Sequence, residues 1–465
     1  MVNKNQTGYI IAEDPSSYPT PDVEPEHLLW SKRRDIIEIR KTFLCQWLFA
    51  AVQLWILIFF MTIIYLGSGH NPNRYTTNLE VDIIDADGDL AGSCLINAFK
   101  QTPSGRLSLH WIYKNSNDYD PNDVTDGKVW ASVYLRSNTT KLINDSLVLF
   151  VNASTSLSSP FALQQPVIVT YESGRNVFTI SNYVIPPIQA ALAVANSKCG
   201  QIIRKELINY LYSSTNTSVN RTLQLLNVLQ LESFFANPLP ATYVNLHPGA
   251  PFVGQLATTL GYIYLYLVAG MIVGSTMVFL TPLGKLIHID QKPLKSIQLF
   301  FLVGKVHHFD LLCFRVANGF FQALMISLIY SLIVLWFFGI HSGAQFIRYW
   351  MFNWLSALVF GIIVSLFTIN LGVIANTILT IFAILMLAGA ALQISLELSP
   401  RFYRYGYGLP FFNIVSGARH LLFGAHSRFG INVGVLVIYF GIFWIFATLT
   451  GIFWMKRAMK KKRES

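Results

Sequence analysis

The sequence predicts an α-helical polytopic membrane protein, with six transmembrane helices and a mixed α/β ectodomain inserted between helices 1 and 2. Three observations carry this. Phe43 to Leu66 is an uncharged run long enough to cross a hydrocarbon core of about 30 Å. Tyr349 to Leu396 is also uncharged and, at about 1.5 Å per helical residue, long enough to cross twice. Between the first run and the next apolar block lie the mostly polar residues 67–260, long enough for a folded domain.

Composition agrees. The chain is 53% hydrophobic, 14% aromatic and only 12% charged, outside the range of soluble globular domains. The formal net charge of +10 gathers at span edges, most densely at Lys456, Arg457, Lys460, Lys461, Lys462 and Arg463. Such clusters meet anionic headgroups on a cytoplasmic leaflet, so membrane lipids rather than nucleic acid are the expected partners.

Taken in order, residues 1–25 hold Pro15, Pro19, Pro21 and Pro25 among polar residues and read as a disordered cytoplasmic arm. Residues 26–42 read as an amphipathic juxtamembrane helix, with Leu29, Ile36 and Ile37 on one face. Transmembrane helix 1 spans 43–66, with Lys32, Arg33, Arg34, Arg40 and Lys41 on its N-terminal flank, the excess that keeps a flank cytoplasmic.

In residues 67–260, runs rich in Val, Ile, Trp and Tyr at 79–84, 107–113, 129–135 and 166–171 predict strands, bounded by turns such as Asp87-Gly88 and Asp126-Gly127. Residues 90–100, 188–212 and 221–235 are compatible with helices. Sequons at Asn138, Asn144, Asn152, Asn216 and Asn220 all fall here, which predicts a glycosylated domain on the lumenal or extracellular side; Asn5 heads the other sequon. Cys94 and Cys199 are the only cysteines of this domain. Either they bridge in an oxidising compartment or they are separate buried thiols.

Transmembrane helix 2 is expected over 261–280, a cytoplasmic loop over 281–315, helix 3 over 316–340, helix 4 over 350–369 and helix 5 over 373–396. An outer loop over 397–432, helix 6 over 433–454 and a basic cytoplasmic tail over 455–465 complete the chain. Lys285, Lys292, Lys295, Lys305 and Arg315 join the flank and tail residues on the cytoplasmic side, against Arg348, Arg401, Arg404, Arg419 and Arg428 outside. The bias puts both termini in the cytoplasm.

No P-loop, zincin motif or nucleophile elbow occurs, so no catalytic, cofactor or metal site is expected and the chain does not read as an enzyme. His307, His308 and Asp310 read as solvated or membrane-facing rather than metal-ligating. Within the spans Gln46, Gln53, Asn318, Gln322, Asn353 and Asn376 either pack neighbouring helices or line a pathway. Gly270 and Gly274 allow close helix contact. Pro400 and Pro410 bracket an aromatic-basic stretch, and Phe411 to Phe423 adds thirteen largely apolar residues including Arg419. That segment is too short to cross, which leaves a re-entrant or interfacial pair of helices, or a headgroup-level helix with Arg419 snorkelling.

The stretch Leu398-Ser-Pro-Arg-Phe-Tyr-Arg-Tyr-Gly-Tyr-Gly-Leu-Pro-Phe-Phe-Asn-Ile-Val, followed by Ala418-Arg-His-Leu-Leu-Phe-Gly, resembles the fungal nitrosoguanidine-resistance membrane protein family. Val81-Asp-Ile-Ile-Asp-Ala-Asp-Gly and Val129-Trp-Ala-Ser-Val-Tyr-Leu are similar to ectodomain strands of that family and, more distantly, of type-2 ABC exporter permeases. The resemblance implies a plasma-membrane protein conferring resistance to toxic compounds, by export or by altering membrane lipid distribution. It carries over no catalytic residues. Amphipathic toxins, membrane lipids, and further copies of the chain or other membrane proteins are the expected partners. A non-transporting organiser of lipid homeostasis is the competing expectation.

Overall fold

A computed structural model describes residues 37, 41, 52, 58–60, 62–101, 108–151, 165–213, 231–271, 273, 308–339, 342–371, 374–425 and 428–464. The arm over 1–25, most of the segments expected over 26–42 and 43–66, and all but its last residues of the loop over 281–315 lie outside them. So do Gln46, Gln53, Asn152, Asn216, Asn220, Gly274 and His307. The chain divides into two units, Met1–Phe60 and Met61–Ser465. In the first, the described residues are helical, with Phe59 edge-on to Phe60.

The second unit begins with an α/β layer. Its strands are β1 (Glu80–Asp85), β2 (His110–Asn115), β3 (Ala131–Leu135), β4 (Val167–Tyr171) and β5 (Ala241–Asn245), in the order β2-β1-β3-β4-β5. β1 runs parallel to both β2 and β3, β4 is antiparallel to β3, and β5 is parallel to β4. Parallel pairing demands a crossover, and α1 (Leu90–Gln101) supplies the one between β1 and β2. The two turns read from the sequence hold: Gly88 and Gly127 both have φ +70°, a conformation glycine adopts without steric penalty. Asp85 accepts from the Asp87 and Gly88 amides at 3.0 Å and so starts the first of them.

Three helices pack on the sheet. α1 turns Cys94, Leu95, Ala98 and Phe99 inward. α2 (Thr139–Val151) follows β3. α3 (Ile185–Ser213), entered through a helical turn at Val177–Thr179 and a π-turn at Ile180–Val184, buries Ile188, Ala191, Leu192, Ala195, Cys199, Ile203 and Leu207. That three-and-four spacing is a single helical stripe. A short α4 (Glu232–Ala236) packs on α3.

The remainder is helical. Among the described residues five helices are long and apolar enough to cross a membrane: Val177–Tyr210, Phe252–Met271, Val316–Phe338, Gly343–Leu371 and Phe429–Trp454. The first includes α3, whose buried stripe belongs to the sheet core, so length and composition there describe a sheet-covering helix. The others lie in α5 (Phe252–Met271, with a π-turn at Ala257–Gly261), α6 (His308–Phe338), α7 (Gly343–Leu371) and α10 (Phe429–Glu464). Apolar side chains such as Trp336, Phe337, Ile438 and Phe453 stand exposed on them, as a bilayer-facing surface requires. The chain is a multi-pass membrane protein.

Most helices run past the expected bounds, and two boundaries differ most. The helix expected over 261–280 already starts at Phe252. The one expected over 373–396 is α8 (Ala375–Ala388), whose 14 residues span only about 21 Å, short of the hydrocarbon core. It stops because Gly389 meets the backbone of Gly406: a Cβ on Gly389 would lie 2.7 Å from the Gly406 Cα, and one on Gly406 would lie 2.1 Å from the Gly389 carbonyl oxygen. Beyond it Ala391 is left-handed, with φ 53°.

The aromatic-basic stretch forms a 3-10 helix, Arg401–Gly408, and α9 (Pro410–Phe423) follows. The Arg419 side chain does not snorkel outward but turns into the protein. α9 is enclosed by the other helices, with Phe411, Ile414, Val415, Ala418 and Leu422 buried and Gly417 so close to Phe352 that a Cβ would meet its ring at 2.5 Å.

Candidate functional site

The segment between α8 and α9 is where the α/β layer meets the helix ends. Asn78 Nδ2 donates to the Glu397 carbonyl at 2.8 Å, Asn176 Nδ2 to that of Ala391 at 3.4 Å, and the Ser395 amide to Thr179 Oγ1 at 3.0 Å. Three tyrosines fix it from the other side. Tyr403 donates to the Ile64 carbonyl at 2.9 Å and Tyr405 to that of Leu385 at 3.0 Å, while the Tyr407 hydroxyl bonds to the Glu397 side chain. The stretch read as unusual in the sequence thus ties the ends of two helices to the α/β layer.

Arg419 completes the junction. Nη1 donates to the Arg175 carbonyl at 3.1 Å, and Nη2 to the carbonyls of Ala391 and Leu392 at 3.2 and 3.0 Å. Burial lowers its guanidinium to about 10, still charged at neutral pH. Three carbonyl dipoles solvate it, and no carboxylate reaches it among the described residues.

Arg175 lies alongside. Its guanidinium stacks on the Trp130 ring at 3.8 Å from the centroid, donates to the Val129 carbonyl at 3.2 Å and faces Glu397 at 3.7 Å. Burial pushes it below its ordinary value, and the Glu397 carboxylate opposes that. Together with Arg428 at the exposed rim, these groups wall a cavity of about 290 Å³. Glu397 and Glu172 both act on the Arg175 guanidinium, and the 3.7 Å to Glu397 exceeds the 2.7–2.9 Å of a direct charged hydrogen bond.

The amides singled out within the spans do other things. Asn353 is fully buried, accepting from Tyr262 at 2.5 Å and donating to Ser331 at 2.8 Å, which packs α5, α6 and α7 together. Gln322 donates to Asn318 at 3.3 Å within α6, and Asn376 is exposed with its carbonyl bound by Thr380. Gly270 has open space where a Cβ would project. In the α/β layer Asn138 and Asn144 are exposed, as glycan acceptors must be. Cys94 and Cys199 are free thiols, buried and hydrogen-bonded to each other between α1 and α3.

Trp130, Arg175, Glu397 and Arg428 were not singled out as site residues. Glu397 carried a usable signal, being the only acidic residue between Asp310 and Glu464. Arg175 carried none, because a lone basic residue in a polar domain reads as solvated surface.

Apolar helices anchored to an α/β layer through a charged junction define a multi-pass membrane protein with a folded domain beside its spans. Its family follows from the sequence profile that matches residues 50–445: the chain belongs to the family described as protein of unknown function, DUF3533. No curated protein and no solved structure matches the chain.

Proposed function

We propose that this chain is a six-span protein of permease-like layout in the plasma membrane, with cytoplasmic termini and the α/β domain outside, that confers resistance to nitrosoguanidine-type toxic compounds. The helix preceding residue 69, α5, α6, α7, α8 and α10 supply the six spans, α8 with the help of protein enclosing its short end. Positive charge at the far end of α10, Lys456 and Arg457, supports the orientation, as do the exposed sequons at Asn138 and Asn144. Resistance rests on the resemblance carried by residues 398–424.

The observation that carries the reading is the charged cavity where the α/β domain meets the helix ends, a place from which an amphipathic compound or lipid is moved across or out of the leaflet. Efflux of a labelled alkylating toxin from cells with and without the gene tests it. Faster efflux with the gene supports export, and equal efflux with unequal survival defeats it. The second reading is a non-transporting organiser of lipid distribution. It is favoured by Asn353, whose amide is bonded to Tyr262 and Ser331 in helix packing. Unchanged lipid asymmetry on deletion counts against that reading.

A further inference from the structure

The charge balance of the cavity wall identifies what fits there. Lys128 and Glu80 also line it: Lys128 is held by Asp123 at 2.7 Å and Asp126 at 3.7 Å, and Glu80, half-exposed beside His110 at 3.6 Å, leaves one carboxylate at the solvent side of the wall. The Glu397 carboxylate is divided between Arg175 and the Tyr407 hydroxyl. Arg175 and Arg419 bring two positive charges to the interior against the Glu397 carboxylate and the buried Glu172, which is bonded to His247, and Arg428 adds a third positive charge at the rim. Arg175, whose carboxylates are shared with Tyr407 and His247, and the exposed Arg428 can each take a further counter-charge, and the planar guanidinium fork matches phosphate oxygens. The remaining wall is amphipathic: Trp130, Phe412 and Val415 are apolar, and Asn432 on α10 adjoins Ile431, which is 64% exposed on the apolar helix surface.

We propose that this cavity binds the phosphate group of a phosphate ester between Arg175 and Arg428, with a bilayer phospholipid as the occupant whose chains leave along α10. The proposal rests on the reading of the chain as a membrane protein, but not on transport.

The test uses the full-length protein in detergent, with native mass spectrometry or calorimetry reading affinity for three probes: dihexanoyl phosphatidylglycerol, dihexanoylglycerol, which lacks the phosphate, and inorganic phosphate. The phospholipid is expected to bind at least about tenfold tighter than the phosphate-free lipid. Arg428→Gln, at an exposed position, is expected to weaken it about tenfold with Tm unchanged, and Arg175→Gln more. Inorganic phosphate competing as well as the lipid would keep the phosphate site and overturn the lipid occupant. Equal binding of both lipids, or Arg428→Gln and Arg175→Gln proteins of normal Tm that bind normally, would overturn the site. Binding intact in cells without efflux would count against export alone, and efflux without phospholipid binding against this proposal alone.

Discussion

The guanidinium of Arg419 in α9 donates to the main-chain carbonyl of Arg175 at 3.1 Å, joining residues 244 positions apart. The bond sits where the α/β layer and the helix ends meet, and the same side chain holds Ala391 and Leu392. Removing it leaves the carbonyls of Arg175 and Leu392 at a buried junction without this donor, and that of Ala391 with the long bond from Asn176 alone. Arg419→Gln should lower unfolding stability by about 2–4 kcal/mol, and Arg419→Lys should rescue little of it, because one ammonium cannot reproduce the fork. Thermal unfolding in detergent reads both; a lysine variant of normal Tm would contradict the three-carbonyl role.

Gly406 faces a similar constraint from backbone rather than charge. Gly406→Ala forces a methyl against the Gly389 carbonyl oxygen and should cost about 1–3 kcal/mol. Ala391→Gly, by contrast, relieves a left-handed alanine while adding chain entropy, so its Tm should stay within the equivalent of about 1 kcal/mol of the parent.

Asn353 separates packing from passage. Its bonds with Tyr262 and Ser331 predict that Asn353→Leu loses about 1–2 kcal/mol of stability. Efflux per folded molecule should stay unchanged. A variant of normal Tm with altered efflux would return this residue to a pathway.

Cys94 and Cys199 touch between α1 and α3. If the α/β domain matures in an oxidising compartment, a thiol–disulfide oxidoreductase can take two electrons and two protons from the pair. Peptide mapping of protein from its own cells, alkylated before reduction, should then find the two cysteines linked. Cys94→Ser should lower stability by about 2–5 kcal/mol. Two freely alkylated thiols in denatured protein would put the domain in a reducing compartment.

The sheet was legible where Val, Ile, Trp and Tyr cluster, on buried positions in β1, β3 and β4 and on half-buried ones in the edge strand β2. β1 to β4 coincide with runs of Val, Ile and Tyr between turn residues, whereas β5 escaped because Ala241–Asn245 is a short edge strand with three exposed residues in its middle. Hydropathy located the long helices but not the end of α8, since the uncharged composition continues to Leu396 while the chain turns at Gly389 to accommodate Gly406. Length and hydropathy alone would also admit the sheet-covering α3 as a span, but its place in the mostly polar stretch and its packing on the strands both assign it to the α/β layer. Arg419 stood out in the sequence as a charge in an apolar run. Its partners did not, because they are carbonyls, which any residue type supplies. The cavity was not legible at all: it needs Trp130, Arg175, Glu397 and Arg428 together, and their proximity is a product of the fold rather than of any local pattern.

Where the α/β domain lies relative to the bilayer decides the account most directly. Glycosidase treatment of the protein from its native cells should shift its mobility, with Asn138→Gln and Asn144→Gln each tested for their share, while a C-terminal tag beyond Arg457 stays protected from protease added outside intact cells. Unmodified asparagines together with a tag cleaved from outside would invert the topology, placing the domain, its thiol pair and the cationic cavity on the cytoplasmic face.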